Sequence, residues 1–314
     1  RLDYQRNRLT SAEPLPVCCA WFDEFNTQSG DYHAGEDYSA AHRQFVEQRL
    51  LRLAKEAAIR RRAIIKPLPL KLKQPREQIC RELAPLLRDA LHVLHSHHHS
   101  IDPKTGKRAS FGLIRLANID PLFEVARELF KLGAQAGCRI HLCVYHSRHP
   151  PPVRAAIERD LDRTLKRTDP DAVFNRTRIR QRLDGFAESD HIFLVLATVI
   201  AEVGRDHDYD WAIVEPSSMR SFIQLAGRVR RHRVFECPED RPNIYLLDTN
   251  IRHLAGYPDG LAFLRPGFEN SSFKLHSHYL TDLLNQDQSW RTLDAAPRIQ
   301  EREILRQNDN LADL

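Results

Sequence analysis

Five short apolar runs, at 112–117, 140–145, 192–196, 211–214 and 243–247, punctuate the middle of this 314-residue chain. None approaches the roughly 20 apolar residues that a membrane span needs. They are continuous rather than alternating, as strands buried on both faces are. Between them, helical spacing fills 121–132, 152–166 and 218–231. Pro121 suits a first helical turn and Gly133 a stop. Strand–helix alternation of this kind predicts an α/β fold with a mostly parallel sheet flanked by helices.

The flanks have a different texture. Residues 1–104 read as a mainly helical lead-in and linker region, 105–250 as the α/β domain, and 251–314 as an accessory segment. Within the lead-in, 17–22 reads as a short strand and 40–65 as a helix, with Val46, Leu50, Leu53 and Ala57 at core spacing. The Pro-punctuated stretch 66–75 reads as a linker and 76–95 as a second helix. Helices near 278–285 and 298–307 are expected in the tail. The composition, 42% hydrophobic and 28% charged, is that of a globular chain able to bury one large core. A formal charge of +5 and a pI near 8.9 are compatible with a nucleic-acid partner. Six cysteines without a C-x-x-C pair read as reduced, mostly buried thiols of a cytoplasmic protein. No signal-peptide pattern opens the chain, and its sole methionine is Met219. The sequence therefore reads as a piece of a longer polypeptide.

Chemistry concentrates in two stretches. The first, QLAGRVRRHR at 224–233, lies in a span (216–235) with five arginines and no acid. On a helix, Gln224, Arg228 and Arg231 share one face, with Phe222, Ala226 and Val229 nearly opposite. Such a face is either a solvated basic surface or a phosphate site, since guanidinium forks match phosphate oxygens. The second, ATVIAEVGRDHDYDW at 197–211, follows a predicted strand with Thr198, Gly204 and Asp206. A strand-end Thr suits a nucleic-acid phosphate, and Gly allows close backbone approach. Asp206 suits a ribose hydroxyl or the arginines of the next helix. The alternative is an acidic loop, with Glu202, Asp206, Asp208 and Asp210 set against Arg205.

Together, T-x5-G-x-D followed by Q-x-x-G-R-x-x-R resembles motifs V and VI of superfamily 2 helicases. Tyr145-His146-Ser147-Arg148 resembles the segment that precedes a DNA-contacting helix there, with Arg154 as a downstream basic residue. The wording GLIRLANIDPLFEVARELF, HLCVYHSRHPPPVR and RPNIYLLDTNIRHL is similar to the type I-F CRISPR-associated helicase–nuclease over roughly 105–255. The resemblance implies that 105–250 is the second of two RecA-like domains. It implies ATP with Mg²⁺ bound between the two, with Arg228 and Arg231 reaching the γ-phosphate and Gln224 positioning. Gly204 and Asp206 would line the nucleotide cleft. Thr198, His146, Ser147 and Arg148 would face the DNA backbone. The intact protein would translocate 3′ to 5′ on single-stranded DNA and cut it with a metal-dependent HD nuclease. Its implied partners are single-stranded DNA, the CRISPR RNA-guided surveillance complex, the CRISPR integrase and anti-CRISPR inhibitor proteins, in a bacterial cytoplasm and away from membranes.

The chain departs from the whole-family pattern. It contains no G-x-x-x-x-G-K-[ST], so the phosphate cradle and the HD nuclease are expected in a preceding segment. The string Lys104-Thr105-Gly106-Lys107-Arg108 lacks the glycine and hydroxyl of that cradle, although its cations suit DNA phosphate. Asp23-Glu24 mimics an acidic magnesium motif, and Thr10-Ser11-Ala12 mimics a linking motif that Glu13 breaks. His92, His95, His97, His98 and His99 read as a helix end entering a polar loop rather than a metal site. Alone, the segment is expected to lack activity, or to serve as a DNA- or protein-binding module.

Overall fold

The computed structural model describes residues 16–22, 27–33, 35–56 (53–56 by backbone alone), 58–202, 204–233, 236–257, 260–264, 269–284 and 291–293. The chain divides into two compact units, Arg1–Ala58 and Ile59–Leu314. In the first, β1 (Val17–Phe22) pairs antiparallel with β2 (Thr27–Tyr32), followed by α1 (Gly35–Glu56). The helix packs through Tyr38, His42 and Phe45, spaced i, i+4, i+7, whose rings lie 5.6, 5.9 and 6.2 Å from Trp21. That aromatic stripe displaces the expected one: Val46 and Leu50 are 37% and 59% exposed. The side chains of Leu53 and Ala57, the Thr10–Glu13 and Asp23-Glu24 motifs, and the expected helix at 298–307 lie outside the described residues.

The second unit runs β3 (Ala63–Lys66), α2 (Arg76–His98), β4 (Ser100–Ile101), β5 (Arg108–Arg115), α3 (Ile119–Leu132), β6 (Cys138–Tyr145), α4 (Pro151–Leu165), α5 (Thr177–Gly185), β7 (Asp190–Ala197), β8 (Trp211–Val214), α6 (Met219–Ala226), β9 (Ile244–Leu247), α7 (Ile251–Ala255) and α8 (Leu280–Leu283). Among the described residues seven strands form one sheet, ordered β3-β9-β8-β5-β7-β6, with the short β4 antiparallel to β5 and every other pairing parallel. Alternate residues of each strand feed two cores. Phe111, Leu113 and Val195 meet α4, α5 and α6 on one face. Ile114, Leu194, Trp211 and Ile213 meet α2, α3 and α7 on the other. This is the helix-flanked, mostly parallel sheet that the five apolar runs announce.

Two readings of the lead-in change. The expected helix at 40–65 ends at Glu56, and 63–66 is instead the edge strand β3, paired with β9. Nor is 66–75 a free linker: the Asp248 amide donates to the Lys66 carbonyl and the Lys73 amide to that of Leu254. Leu68 and Leu70 pack on the second core. Residues 59–104 thus belong to the sheet's own unit, and the compact boundary falls 46 residues before the expected one at 104, as 104 minus 58. The prolines and alternating lysines signal a break in helix; they carry no sign of the strand partner 181 residues away that holds the segment down.

Gly112 has a packing reason. It pairs with Trp211 across β5 and β8, and a Cβ there would overlap the six-membered ring of that fully buried Trp. Gly112→Ala is expected to destabilise the fold by about 1–3 kcal/mol, as overpacking of a filled core does, read as a lowered midpoint in denaturant unfolding.

Candidate functional site

Parallel pairing aligns the strand ends. Tyr145, Ala197, Arg115 and Val214 stand in one cross-strand row, so the residues that follow them emerge at the carboxyl edge of the sheet, where open α/β sheets bind ligands. His146, Ser147 and Arg148 follow β6, and Thr198 follows β7 beside them. Ser147 and Arg148 are exposed and His146 is half-buried, whereas Thr198 is only 4% exposed, at the start of a 3-10 turn over Val199–Ala201. Arg148 lies 2.5 Å from Asp120 in an exposed ion pair, which solvent renders weak and exchangeable. His146 stacks on His149 with ring centroids 3.9 Å apart. Arg154 reaches the Ser147 carbonyl at 3.4 Å.

The basic run departs from its expected geometry. Helix α6 begins at Ser218, whose hydroxyl accepts the Ser221 amide, and ends at Ala226. Arg228 and Arg231 therefore lie past the helix, and the predicted shared face of Gln224, Arg228 and Arg231 is not formed. The reason is tertiary. The Tyr209 amide donates to the Arg228 carbonyl at 2.7 Å, and the Arg230 amide donates to the Tyr209 carbonyl at 2.9 Å. This bridge takes the backbone groups that a longer helix would use, and Arg230 adopts φ 49°. Phe222, Ala226 and Val229 are nonetheless all buried, as their spacing requires.

Opposite the run lies the acidic stretch, and the two neutralise each other. Asp206 accepts from Arg231 Nε at 2.6 Å, and Asp208 and Asp210 both accept from Arg233. Asp210, fully buried, also pairs with Arg167 at 2.9 Å and lies 3.6 Å from Arg230. Asp206 thus holds an arginine of the next element, one of the two roles open to it. Burial alone would raise the Asp210 pKa, but Arg167, Arg233 and Arg230 outweigh it and hold the carboxyl well below the usual range. Burial likewise opposes the fall at Asp206, where the Arg231 hydrogen bond prevails. Arg228 takes another partner: its Nε and Nη2 donate to the Glu202 carbonyl at 3.2 and 2.9 Å. Burial lowers the pKa of Arg228. Gly204, between these contacts, has φ 69° and open space around its Cα, and Gln224 is half-buried on the last turn of α6. The structure thus joins Glu202 and 204–206 to 228–231 as one surface, and sets 146–148 beside 198 on the sheet edge.

Sequence reading passes over Arg115, whose partner is Glu202 of the acidic stretch, in a buried ion pair with Nε 2.7 Å from Oε1. The available signal is an arginine inside an apolar strand, since such a charge is seldom enclosed without a partner. The basic cluster Arg60, Arg61 and Arg62 donates to the carbonyls of Arg231, Val229 and Cys237 and so braces the turn. Several tempting residues have structural roles. Lys107 Nζ donates to the Leu183 and Phe186 carbonyls at the end of α5, Lys104 pairs with Asp184, and Arg108 pairs with Asp190. His95 bonds Ser110 and Asp190, and His98 bonds the Pro242 carbonyl. No group of three or more potential ligands converges on a metal position among the described residues. Of the thiols, Cys80 and Cys237 are buried, while Cys138 and Cys143 on β6 are only half-buried. Burial pushes Cys143 up to about 11.

The two aspartates are expected to differ sharply. Asp210→Ala leaves the buried Arg167 without its carboxylate and Arg233 with Asp208 alone, and should cost about 3–5 kcal/mol, whereas Asp206→Ala, at a half-exposed pair, should cost under about 1 kcal/mol, both by denaturant unfolding. Because the Asp210 pKa is depressed on folding, its contribution is present above the ordinary carboxylate value of about 3.9 and is lost only as pH falls through the lower folded value. The difference between wild type and Asp210→Asn should therefore persist at pH 5.

Residues 108–234 match the family described as CRISPR-associated nuclease/helicase Cas3, C-terminal. The chain is 49% identical over 313 residues to the Cas3 nuclease/helicase of subtype I-F/YPEST from Pseudomonas aeruginosa, and 45% identical over 300 residues to that of Pectobacterium atrosepticum. These alignments cover 99% and 95% of this chain, which spans 28% and 27% of the two relatives. Among solved structures, T. fusca Cas3 with ATP is similar at 18% identity, with 61% of this chain and 18% of that chain covered and a TM-score of 0.41. The E. coli DExH-box NTPase HrpB is similar at 15% identity, with 71% and 23% covered and a TM-score of 0.32. With 49% identity along nearly its whole length to the Pseudomonas relative and the Cas3 C-terminal family matched over residues 108–234, the chain is similar to a segment of the subtype I-F CRISPR-associated nuclease/helicases that carries the C-terminal region.

Proposed function

We propose that this segment is the second RecA-like half of an ATP-driven motor on single-stranded DNA, contributing Arg228 and Arg231 to a nucleotide site shared with a domain outside the sequence described here. The observation that carries the reading is the joined surface of Glu202, 204–206 and 228–231. It gathers two guanidiniums, a carboxylate and an open glycine turn at the carboxyl side of the sheet. Bound ATP with Mg²⁺ would bring the phosphoryl group whose transfer to water drives translocation. The residues fit a triphosphate. Arg231 is partly exposed beside Asp206, and its exposed ion pair is one that a more highly charged phosphate displaces. Arg228 is held by a neutral carbonyl, so its full charge remains available to phosphate oxygens. Gln224 and Gly204 border this surface. An arginine placed on the transferring group spreads the charge that builds there, an effect of about 10³–10⁵ in rate.

Arg148, Ser147 and His146 would hold the DNA backbone beside the Thr198 turn, a role supported by their place at one sheet edge and by the exposure of the first two. In the same reading the whole protein cleaves the strand with its metal-dependent nuclease, is recruited by the RNA-guided surveillance complex, associates with the integrase and is a target of inhibitor proteins, in the cytoplasm. No described helix is long and apolar enough to cross a membrane.

In the intact protein, Arg228→Ala and Arg231→Ala should each lower DNA-stimulated ATP turnover by about 10³ while leaving ATP affinity within about tenfold. Wild-type turnover in both variants would refute the arginine assignment. Arg148→Ala should weaken single-stranded DNA binding and reduce the salt dependence by about one phosphate contact; an unchanged slope would remove Arg148 from the DNA path.

A further inference from the structure

Arg115 closes β5, the strand flanked by β7 and β8, and is fully buried. Enclosing a guanidinium costs far more than enclosing the Leu or Ile that its neighbours use, so its partners show what the charge is for. They come from three elements. Nε lies 2.7 Å from Glu202 Oε1, Nη1 donates to the Glu215 carbonyl at 2.7 Å, and Nη2 donates to Ser217 Oγ at 2.7 Å and to Ser221 Oγ. Ser221 in turn donates to Glu202 Oε1 at 2.5 Å. The planar fork thus fixes the 3-10 turn after β7, the end of β8 and the first turn of α6 against one another.

Glu202 is where this matters. Its carboxylate, 1% exposed, is tied to Arg115 and Ser221, and Oε2 has no hydrogen-bond partner to hold it otherwise. Its carbonyl is the acceptor for both Nε and Nη2 of Arg228. One residue therefore grips the central strand with its side chain and a candidate phosphate-directed arginine with its backbone. The same turn starts at Thr198, beside the exposed Ser147 and Arg148. We infer that Arg115 is a positioning residue: through Glu202 it sets the place of the Arg228 guanidinium, and through the turn from Thr198 to Glu202 it links that place to the DNA-facing edge of the sheet. The inference rests on the role proposed above for Arg228, and its test separates the two.

The test uses the intact protein with Arg115→Lys, which keeps the charge but loses the fork, and the milder Glu202→Gln, which keeps the shape and the tie to Ser221. Amide exchange at residues 199–202 should speed by about tenfold in Arg115→Lys and by less in Glu202→Gln. The kcat of DNA-stimulated ATP turnover should fall about tenfold, while KM for ATP and affinity for single-stranded DNA stay within about twofold. The double variant Arg115→Lys with Arg228→Ala should be no slower than Arg228→Ala alone, because both act on one guanidinium. Unchanged exchange at 199–202 in both single variants overturns the inference. So do independent, multiplying losses in the double variant, or a parallel collapse of ATP affinity, DNA affinity and melting temperature in Glu202→Gln, which mark a merely structural role. If Arg228→Ala alone retains full turnover, the arginine assignment fails, and the exchange measurement still decides whether Arg115 holds the turn.

Discussion

Charges removed from water must find one another, and in this unit they do so across two neighbouring segments joined by a single backbone bridge. Asp206, Asp208 and Asp210 alternate along one, and Arg231 and Arg233 alternate along the other, with the backbone bridge between Tyr209 and Val229 setting the register. Asp210 is the fixed point. It takes the Phe111 amide from the central strand as well as three arginines. Were it apolar, Arg167 would stand buried without a carboxylate, and Arg233 would keep Asp208 alone. The ending of α6, the left-handed Arg230 and the direction in which Arg228 and Arg231 leave the backbone all follow from that pairing.

The same logic appears on a second scale at Arg115 and Glu202. A buried ion pair is weak support for stability but a strong constraint on geometry, because few arrangements satisfy both partners. Here the two networks bracket the Gly204 turn. The Glu202 carboxylate is tied on one side and Asp206 on the other, with Gly204 at φ 69° between them.

The fold was largely legible because parallel strands buried on both faces have no polar face to write into the sequence. The runs at 140–145, 192–196 and 211–214 fall within β6, β7 and β8. What stayed hidden was whatever depended on a distant partner. β3 is four residues long, and its identity comes from β9. The stripe of α1 was assigned to aliphatic residues, because spacing alone does not say which of two apolar stripes meets Trp21. At the candidate site, residue types and order named the participants, but helical periodicity misplaced them: Gln224 is on the helix, and Arg228 and Arg231 are past its end.

By itself the sequence determined the layered α/β architecture, the carboxyl-edge placement of Thr198 and His146–Arg148, and the juxtaposition of an acidic with a basic stretch. These are local facts, written in apolar run length and residue order. Only the tertiary structure decided which acid meets which arginine, where α6 stops, and that Arg115 lies at the centre of the sheet with its charge on Glu202. The reason is physical. A guanidinium or a backbone amide is indifferent to sequence distance, and the partner that satisfies it is chosen by which strands become neighbours.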